Sequence, residues 1–274
     1  MFVHRLDARL FSLSFGQGPL TLLAPGGWVG SGEVWHALFG HLPHWRCVSF
    51  DHRGSGASTH SGPISIDAMV EDLFAVADAQ QVGRCIVAAE SSGAGIVLEA
   101  ALRQPQRFAG LVLVGASWLR PAPGSQDSFI AALRSDHDAA LRGFVQACLP
   151  EPGSADLQRW GLQILRRAAL QHAIELLQCR NALQVQDRLA ELRLPALVVH
   201  GTADVIAPPA DARRLAAGLP DAELQMLDGL GHVPIFSSPA TVARLIDRRC
   251  KSSTRAARWC GWRRWPLAVA PPGP

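Results

Sequence analysis

Six short, mostly apolar runs set the frame of this chain: Leu20–Ala24, Cys47–Phe50, Cys85–Ala89, Leu111–Val114, Ala196–His200 and Glu223–Leu227. Turn-forming residues stop the first two, at Pro25-Gly26-Gly27 and at Asp51-His52-Arg53-Gly54-Ser55-Gly56. A short apolar run bounded by turn residues suits a strand buried on both faces, as in a parallel sheet. Helical patterns lie between the runs. Ile66, Met69, Val70, Leu73, Phe74 and Ala77 form an amphipathic stripe, and residues 92–104 also read as helix. Strands alternating with helices imply right-handed crossovers and a mostly parallel sheet, in an α/β class. Upstream, residues 2–15 read as two hairpin strands that end in the turn Gly16-Gln17-Gly18-Pro19.

The alternation breaks between the fourth and fifth runs. Residues 118–193 contain no strand-like run; they open on a Pro/Gly/Ser stretch at 121–125 and carry helical patterns at 129–133, 157–170 and 174–183. The expected organisation is a core of residues 1–117 and 194–247, a helical cap of residues 118–193 inserted at the carboxyl edge of the sheet, and a tail of residues 248–274. The tail is rich in Arg, Trp and Pro, and is expected to be disordered and dispensable.

The charge balance supports that division. The 274 residues carry a formal +3, yet seven cations and no acid follow Asp247, so residues 1–247 alone stand at −4. A mildly acidic body argues against a nucleic-acid partner. Three tryptophans among the tail arginines, Trp259, Trp262 and Trp265, raise the idea of a membrane anchor. The run is short and proline follows at once, so membrane contact by the tail is not expected. The six cysteines have neither close pairing nor metal-ligand spacing, which predicts free thiols in a reducing compartment. The first residues lack a long apolar stretch, so no signal peptide is expected and a cytoplasmic location is.

The chemistry sits at three run ends. Ser91 lies between the run 85–89 and the helical pattern 92–104, in Ala89-Glu90-Ser91-Ser92-Gly93. A serine on a tight strand-to-helix turn needs small residues two positions away on either side. Ser92 fits less well as a nucleophile, because Glu90 and Ala94 would then take the small positions. Asp204 follows the run 196–200, where parallel sheets place ligand-binding groups; a turn aspartate ahead of Pro208 is the plainer alternative. His232 follows the run 223–227 through Asp228-Gly229-Leu230-Gly231, a loop flexible enough to turn an imidazole over the sheet edge. Backbone N–H groups of Ser92 and of Trp28, after Pro25-Gly26-Gly27, are the candidate oxyanion donors. The Asp51-His52-Arg53 turn reads as structural rather than catalytic.

With Leu22–Trp35, Phe50–Ser58, Ala89–Gly95, Leu194–Pro208 and Gly229–Pro234, the chain resembles the α/β-hydrolase superfamily from about residue 10 to 247. The resemblance implies an eight-stranded sheet with a helical lid and a triad of Ser91, His232 and Asp204, in that fold's chain order of serine, acid, histidine. Small lidded esterase-like members are the most similar. Two positions depart from the usual pattern: Gly26-Gly27 stands for His-Gly in the oxyanion loop, and Ala89 for the first elbow glycine. The implied activity is hydrolysis of a small ester, lactone, activated amide or related acyl substrate through an acyl-enzyme, with no cofactor and no metal. A carbon–carbon bond hydrolase, a haloperoxidase-like member and a ligand-sensing protein on the same fold are the alternatives. Trp118, Val205 and Phe236 are expected as cavity walls by adjacency. Oligomeric state is not legible.

Overall fold

The computed structural model describes residues 1–251. The strands are β1 (Phe2–His4), β2 (Ala8–Phe15), β3 (Leu20–Pro25), β4 (Trp45–Phe50), β5 (Thr59–His60), β6 (Cys85–Glu90), β7 (Phe108–Val114), β8 (Ala196–Gly201) and β9 (Ala222–Leu227). Eight of them run in the order β1-β2-β4-β3-β6-β7-β8-β9, and the two-residue β5 adds to the edge of β2. This sheet is the expected one with a short ninth strand added. Pairings from β4 through β3, β6, β7, β8 and β9 are parallel, whereas β2 is antiparallel to β1 and β4.

The central strands are apolar throughout because both faces are covered. Leu22, Ala24, Ile86, Ala88, Val112 and Val114 join one buried cluster. Their neighbours Leu23, Val87, Ala89, Leu111 and Leu113 join the other, as the two-residue strand period dictates. On the first face lie α1 (His36–Phe39) with Leu38 and Phe39, and α10 (Pro239–Lys251) with Val242 and Ile246. On the second lie α2 (Ile66–Ala79) with Met69, Val70 and Leu73, and α3 (Gly93–Arg103) with Val97, Leu98 and Ala101. Ser65 caps α2: its hydroxyl accepts the N–H of Ala68 at 3.1 Å. Cys47 and Cys85 are buried among these apolar side chains, and burial pushes each thiol up to about 12. Edge strand β9 differs: every residue is only half-buried.

Between β7 and β8 the chain forms α4 (Asp127–Ser135), α5 (His137–Cys148), α6 (Ala155–Leu165) and α7 (Leu170–Gln178), then single 3-10 turns. One expected helix is divided here. The pattern at 157–170 continues past Leu165, but the backbone is extended at Ala169 (φ −65°, ψ 146°) and a new helix starts at Leu170. No glycine or proline marks that break, so periodicity alone runs across it. After β8 come α8 (Pro209–Gly218) and, past β9, α9 (Pro234–Ser237). Among the described residues no helix is long and apolar enough to cross a membrane. The expected tail starts too early: residues 248–251 continue α10, because the helix that packs Val242 and Ile246 runs on to Lys251. The rest of the tail, beyond Lys251, lies outside the described residues, and with it the expectations placed on it.

Candidate active site

The strand order locates the site. From β3 the chain passes to β4 on one side, and later returns to add β6 on the other. The loops leaving the carboxyl ends of β3 and β6 therefore diverge and open a crevice at this switch point. Ser91 sits there, between β6 and α3, in the left-handed region at φ 52°. A non-glycine residue held there costs about 1–3 kcal/mol and persists only when its surroundings over-determine it. They do: the Ser91 N–H donates to the Val114 carbonyl and the Ser91 carbonyl accepts from Ser117 N–H, each at 3.0 Å. The turn is tight enough that a Cβ on Gly93 would sit 2.9 Å from the Gly26 carbonyl oxygen. Position 89 has more room, since that same Cβ would lie 3.8 Å from the Ala89 methyl group, and alanine is accommodated in place of glycine.

The three residues singled out in the sequence meet. His232 Nε2 lies 2.8 Å from Ser91 Oγ, and His232 Nδ1 lies 2.8 Å from Asp204 Oδ2. All three are buried. The other Asp204 oxygen accepts the N–H groups of Ile206 and Ala207 at 2.8 and 2.9 Å. Burial by itself would raise the Asp204 carboxyl. Hydrogen bonds from His200 and His232, the imidazole charge and the Ala207 N–H outweigh it and hold the carboxyl well below the usual range. Burial likewise works to lower His232. The hydrogen bond and charge of Asp204, with the charge of Glu90, more than offset it, so the imidazole is held above its ordinary value. The histidine loop is pinned from the inserted helices: His232 N–H donates to the Cys148 carbonyl, and Gly231 N–H to Glu151 Oε1, each at 2.8 Å.

Across the crevice, the loop after β3 brings Gly27 and Trp28 to the same cavity as Ser91. The Trp28 indole N–H is anchored on the Ala173 carbonyl at 2.8 Å. His52 Nε2 lies 2.6 Å from the Gly27 carbonyl, which ties the Asp51-His52-Arg53 turn to this loop. Among the described residues the backbone N–H groups of Trp28 and Ser92 have no hydrogen-bond acceptor, which leaves both free to meet an oxyanion.

The profile of the alpha/beta hydrolase fold family matches residues 21–239. The chain belongs to the α/β-hydrolase family. It is 31% identical over 239 residues to "Putative carbamate hydrolase RutD" of Caulobacter segnis, an overlap of 82% of this chain and 88% of that protein. It is 28% identical to the pimeloyl-[acyl-carrier protein] methyl ester esterase of Serratia marcescens, over 87% of this chain and 96% of that one. In structure it is similar to an esterase of Exiguobacterium antarcticum, with a TM-score of 0.85 at 19% identity, over 92% of this chain and 99% of that one. The chain is a hydrolase of the α/β fold.

Around Ser91 this α/β hydrolase has a cavity of about 520 Å³, open mouth included. Its walls are mainly apolar: Val34, Phe144 and Val145 of α5, Ile164 and Leu165 of α6, and Phe236. Of the three wall residues expected from adjacency, Phe236 is in place. Trp118 is buried beside α8, where its indole N–H donates to the Asp211 carbonyl, and Val205 is 69% exposed. Sequence neighbours of a site residue need not face the site, because successive side chains point in different directions.

Two polar residues of the hydrolase site were not singled out in the sequence. His200, fully buried at the end of β8, places Nε2 3.1 Å from Asp204 Oδ2 and 2.8 Å from the Ala207 carbonyl. Both neighbours are acceptors, so the proton resides on Nε2. Glu90, between Ala89 and Ser91, turns its carboxyl into the cavity. The only sequence signal for either was position: four residues before Asp204, and one before Ser91.

Proposed function

We propose that the chain is a serine hydrolase in which Ser91 is the nucleophile, His232 the general base and acid, and Asp204 the residue that orients the imidazole. The observation that carries this reading is the unbroken pair of 2.8 Å contacts from Ser91 Oγ through His232 to Asp204. Ser91 Oγ attacks a carbonyl carbon while its proton passes to His232 Nε2. Asp204, kept ionised by its four partners, holds the ring by Nδ1–H and stabilises the imidazolium. The free N–H groups of Trp28 and Ser92 receive the oxyanion. The Nε2 proton then passes to the leaving group, and water releases the acyl group by the same steps in reverse roles.

The substrate class is a small acyl compound, an ester or lactone, with an apolar acyl portion. The support is the cavity: one reactive edge of polar groups, and walls of valine, isoleucine, leucine and phenylalanine. The inserted helices serve as a cap, since α5 and α6 supply much of that wall and residues 148–151 anchor the histidine loop. The test is twofold. A fluorophosphonate probe is expected to modify Ser91 and leave Ser92 free, as mapped by mass spectrometry. Turnover across a p-nitrophenyl ester series is expected to fall as the acyl chain outgrows the cavity. An adduct on another serine overturns the assignment, and labelling without turnover of any ester favours a ligand-sensing role.

A further inference from the structure

Glu90 is out of keeping with its surroundings. It is 6% exposed, yet among the described residues no hydrogen-bond donor reaches its carboxyl oxygens. A buried carboxyl without a partner is costly, and here burial pushes it up to about 7, with the His232 charge opposing and the Asp204 charge adding. The fold makes room for it. A Cβ on Gly27 would sit 2.2 Å from Glu90 Oε2, so only glycine in the oxyanion loop lets this side chain lie where it does.

Its other oxygen has a distinct address. Glu90 Oε1 is 3.9 Å from His232 Nε2, the atom that also lies 2.8 Å from Ser91 Oγ. Two polar atoms that far apart can both hydrogen-bond one small group placed between them. A leaving atom that takes the proton from Nε2 has to come within hydrogen-bond reach of that nitrogen, and this place is within such reach.

The chemistry of the leaving atom then matters. An ester oxygen carries no hydrogen and needs only the Nε2 proton. An amide nitrogen must turn its lone pair toward Nε2, which swings its own N–H away into the cavity. Elsewhere that cavity is apolar, and an unpaired N–H there would be penalised. We propose that Glu90 accepts the hydrogen bond of the scissile N–H, so that this site cleaves acyl–nitrogen as well as acyl–oxygen bonds. The inference rests on the Ser91–His232–Asp204 reading. In the step, the Ser91 Oγ–carbon bond forms as the Oγ proton goes to Nε2. The carbon–nitrogen bond then breaks as that proton goes to nitrogen, whose original N–H stays on Glu90. The amine departs, and water converts the acyl-enzyme to free acid and serine. Glu90 touches the reacting nitrogen and gains no net proton.

The test uses the full chain with p-nitrophenyl butyrate and p-nitrobutyranilide, which share an acyl group and differ in the leaving atom. Glu90→Leu removes the acceptor; Glu90→Gln keeps a carbonyl oxygen in its place. The wild type is expected to cleave both compounds. Glu90→Leu is expected to lose about tenfold more kcat/KM on the anilide than on the ester, and Glu90→Gln to recover most of that difference. Equal fluorophosphonate labelling of all three proteins checks that they are folded. Equal losses on both substrates would mark Glu90 as merely structural and overturn the inference. Labelled Ser91 with no anilide cleavage overturns it too. An unlabelled Ser91 brings down instead the reading on which it rests.

Discussion

Two buried charged clusters lie near the carboxyl edge of this sheet, and they differ in how completely the protein satisfies them. In the turn after β4, Arg53 is fully buried, and its guanidinium makes two bonds to Asp72 at 2.7 and 2.8 Å, with further bonds to Asp7 and the Pro63 carbonyl. Asp51 in the same turn accepts the N–H groups of Gly32 and Ala57, each at 2.7 Å. The Arg53 guanidinium and both Asp51 oxygens are thus paired within the protein. The cluster around Ser91 is incomplete by contrast. Glu90, which lines the cavity, lacks a donor, and the N–H groups of Trp28 and Ser92 lack acceptors. A fully paired buried network holds a fold in place, and a half-paired one beside a cavity is completed by what binds there.

The contrast predicts opposite responses to substitution. Asp204→Asn is expected to keep a cooperative melting transition and to lower kcat by about 10³–10⁴-fold, because the imidazole loses its orientation and its charge partner. Ester turnover together with thermal unfolding measures both. Near-normal turnover would pass the role to another carboxylate, with Asp127 at the start of α4 the first to test. Arg53→Met is expected to do the reverse. It removes both Arg53 bonds to the buried Asp72 carboxylate, which keeps only Arg5 Nε at 3.2 Å, and costs about 1–3 kcal/mol in urea unfolding, while kcat per folded molecule stays within about threefold. A kcat loss as deep as that of Asp204→Asn would dissolve the distinction between the clusters.

How much of this could be read from the chain follows the same division. The sheet was legible because runs such as Leu20–Ala24 are apolar at every position and end at glycine and proline, a pattern few other structures demand. Ser91, Asp204 and His232 were legible because each ends such a run in a turn that needs small or turn-forming neighbours. Glu90 was not. The position before the serine is unconstrained by the turn, and only the direction of its side chain and the room left by Gly27 give it meaning. His200 reads as the last residue of an apolar strand, and its contact with Asp204 depends on how residues 201–207 fold back. The inserted helices were legible as helices but not as walls. Helix α5 was overlooked because Leu141, Val145 and Cys148 make a sparse stripe, and the approach of Phe144 and Ile164 to Ser91 is a tertiary fact with no local signature.

Glu90 sharpens the comparison through stability. Its folded value of about 7 lies above the 4.5 of a free glutamate, so the folded state binds the extra proton between those limits. Below pH 4.5 the group costs nothing. The cost builds as the pH rises from 4.5 toward 7 and is complete above it. Glu90→Gln is therefore expected to be more stable than the wild type at pH 8, by about 3 kcal/mol at most, and to lose that advantage by about pH 4.5. Urea unfolding of both proteins at several pH values measures the difference. A pH-independent difference would mean that the carboxyl finds a donor in the folded state and that the site is as complete as the Arg53 cluster.

The smallest expected effect concerns the imidazole itself. His232 must be neutral to accept the Ser91 proton, so kcat/KM for an ester falls on the acid side of its titration. That limb is expected above pH 6.5, because Asp204 and Glu90 together outweigh the effect of burial and of the Arg180 charge. Asp204 is held ionised through this range, and the Cys148 thiol is pushed well above its ordinary value. Glu90, pushed up to about 7, shares the window, so the limb belongs to the Glu90–His232 pair rather than to either residue. Glu90→Gln removes a negative neighbour 3.9 Å from Nε2, which favours the neutral ring. Its acid limb is expected to move to lower pH by about half to one unit and to fit a single ionisation. Profiles of the two proteins on the same ester measure the shift. An unmoved limb would show that the imidazole does not feel the carboxyl, and would leave Asp204 as the acidic group that raises it.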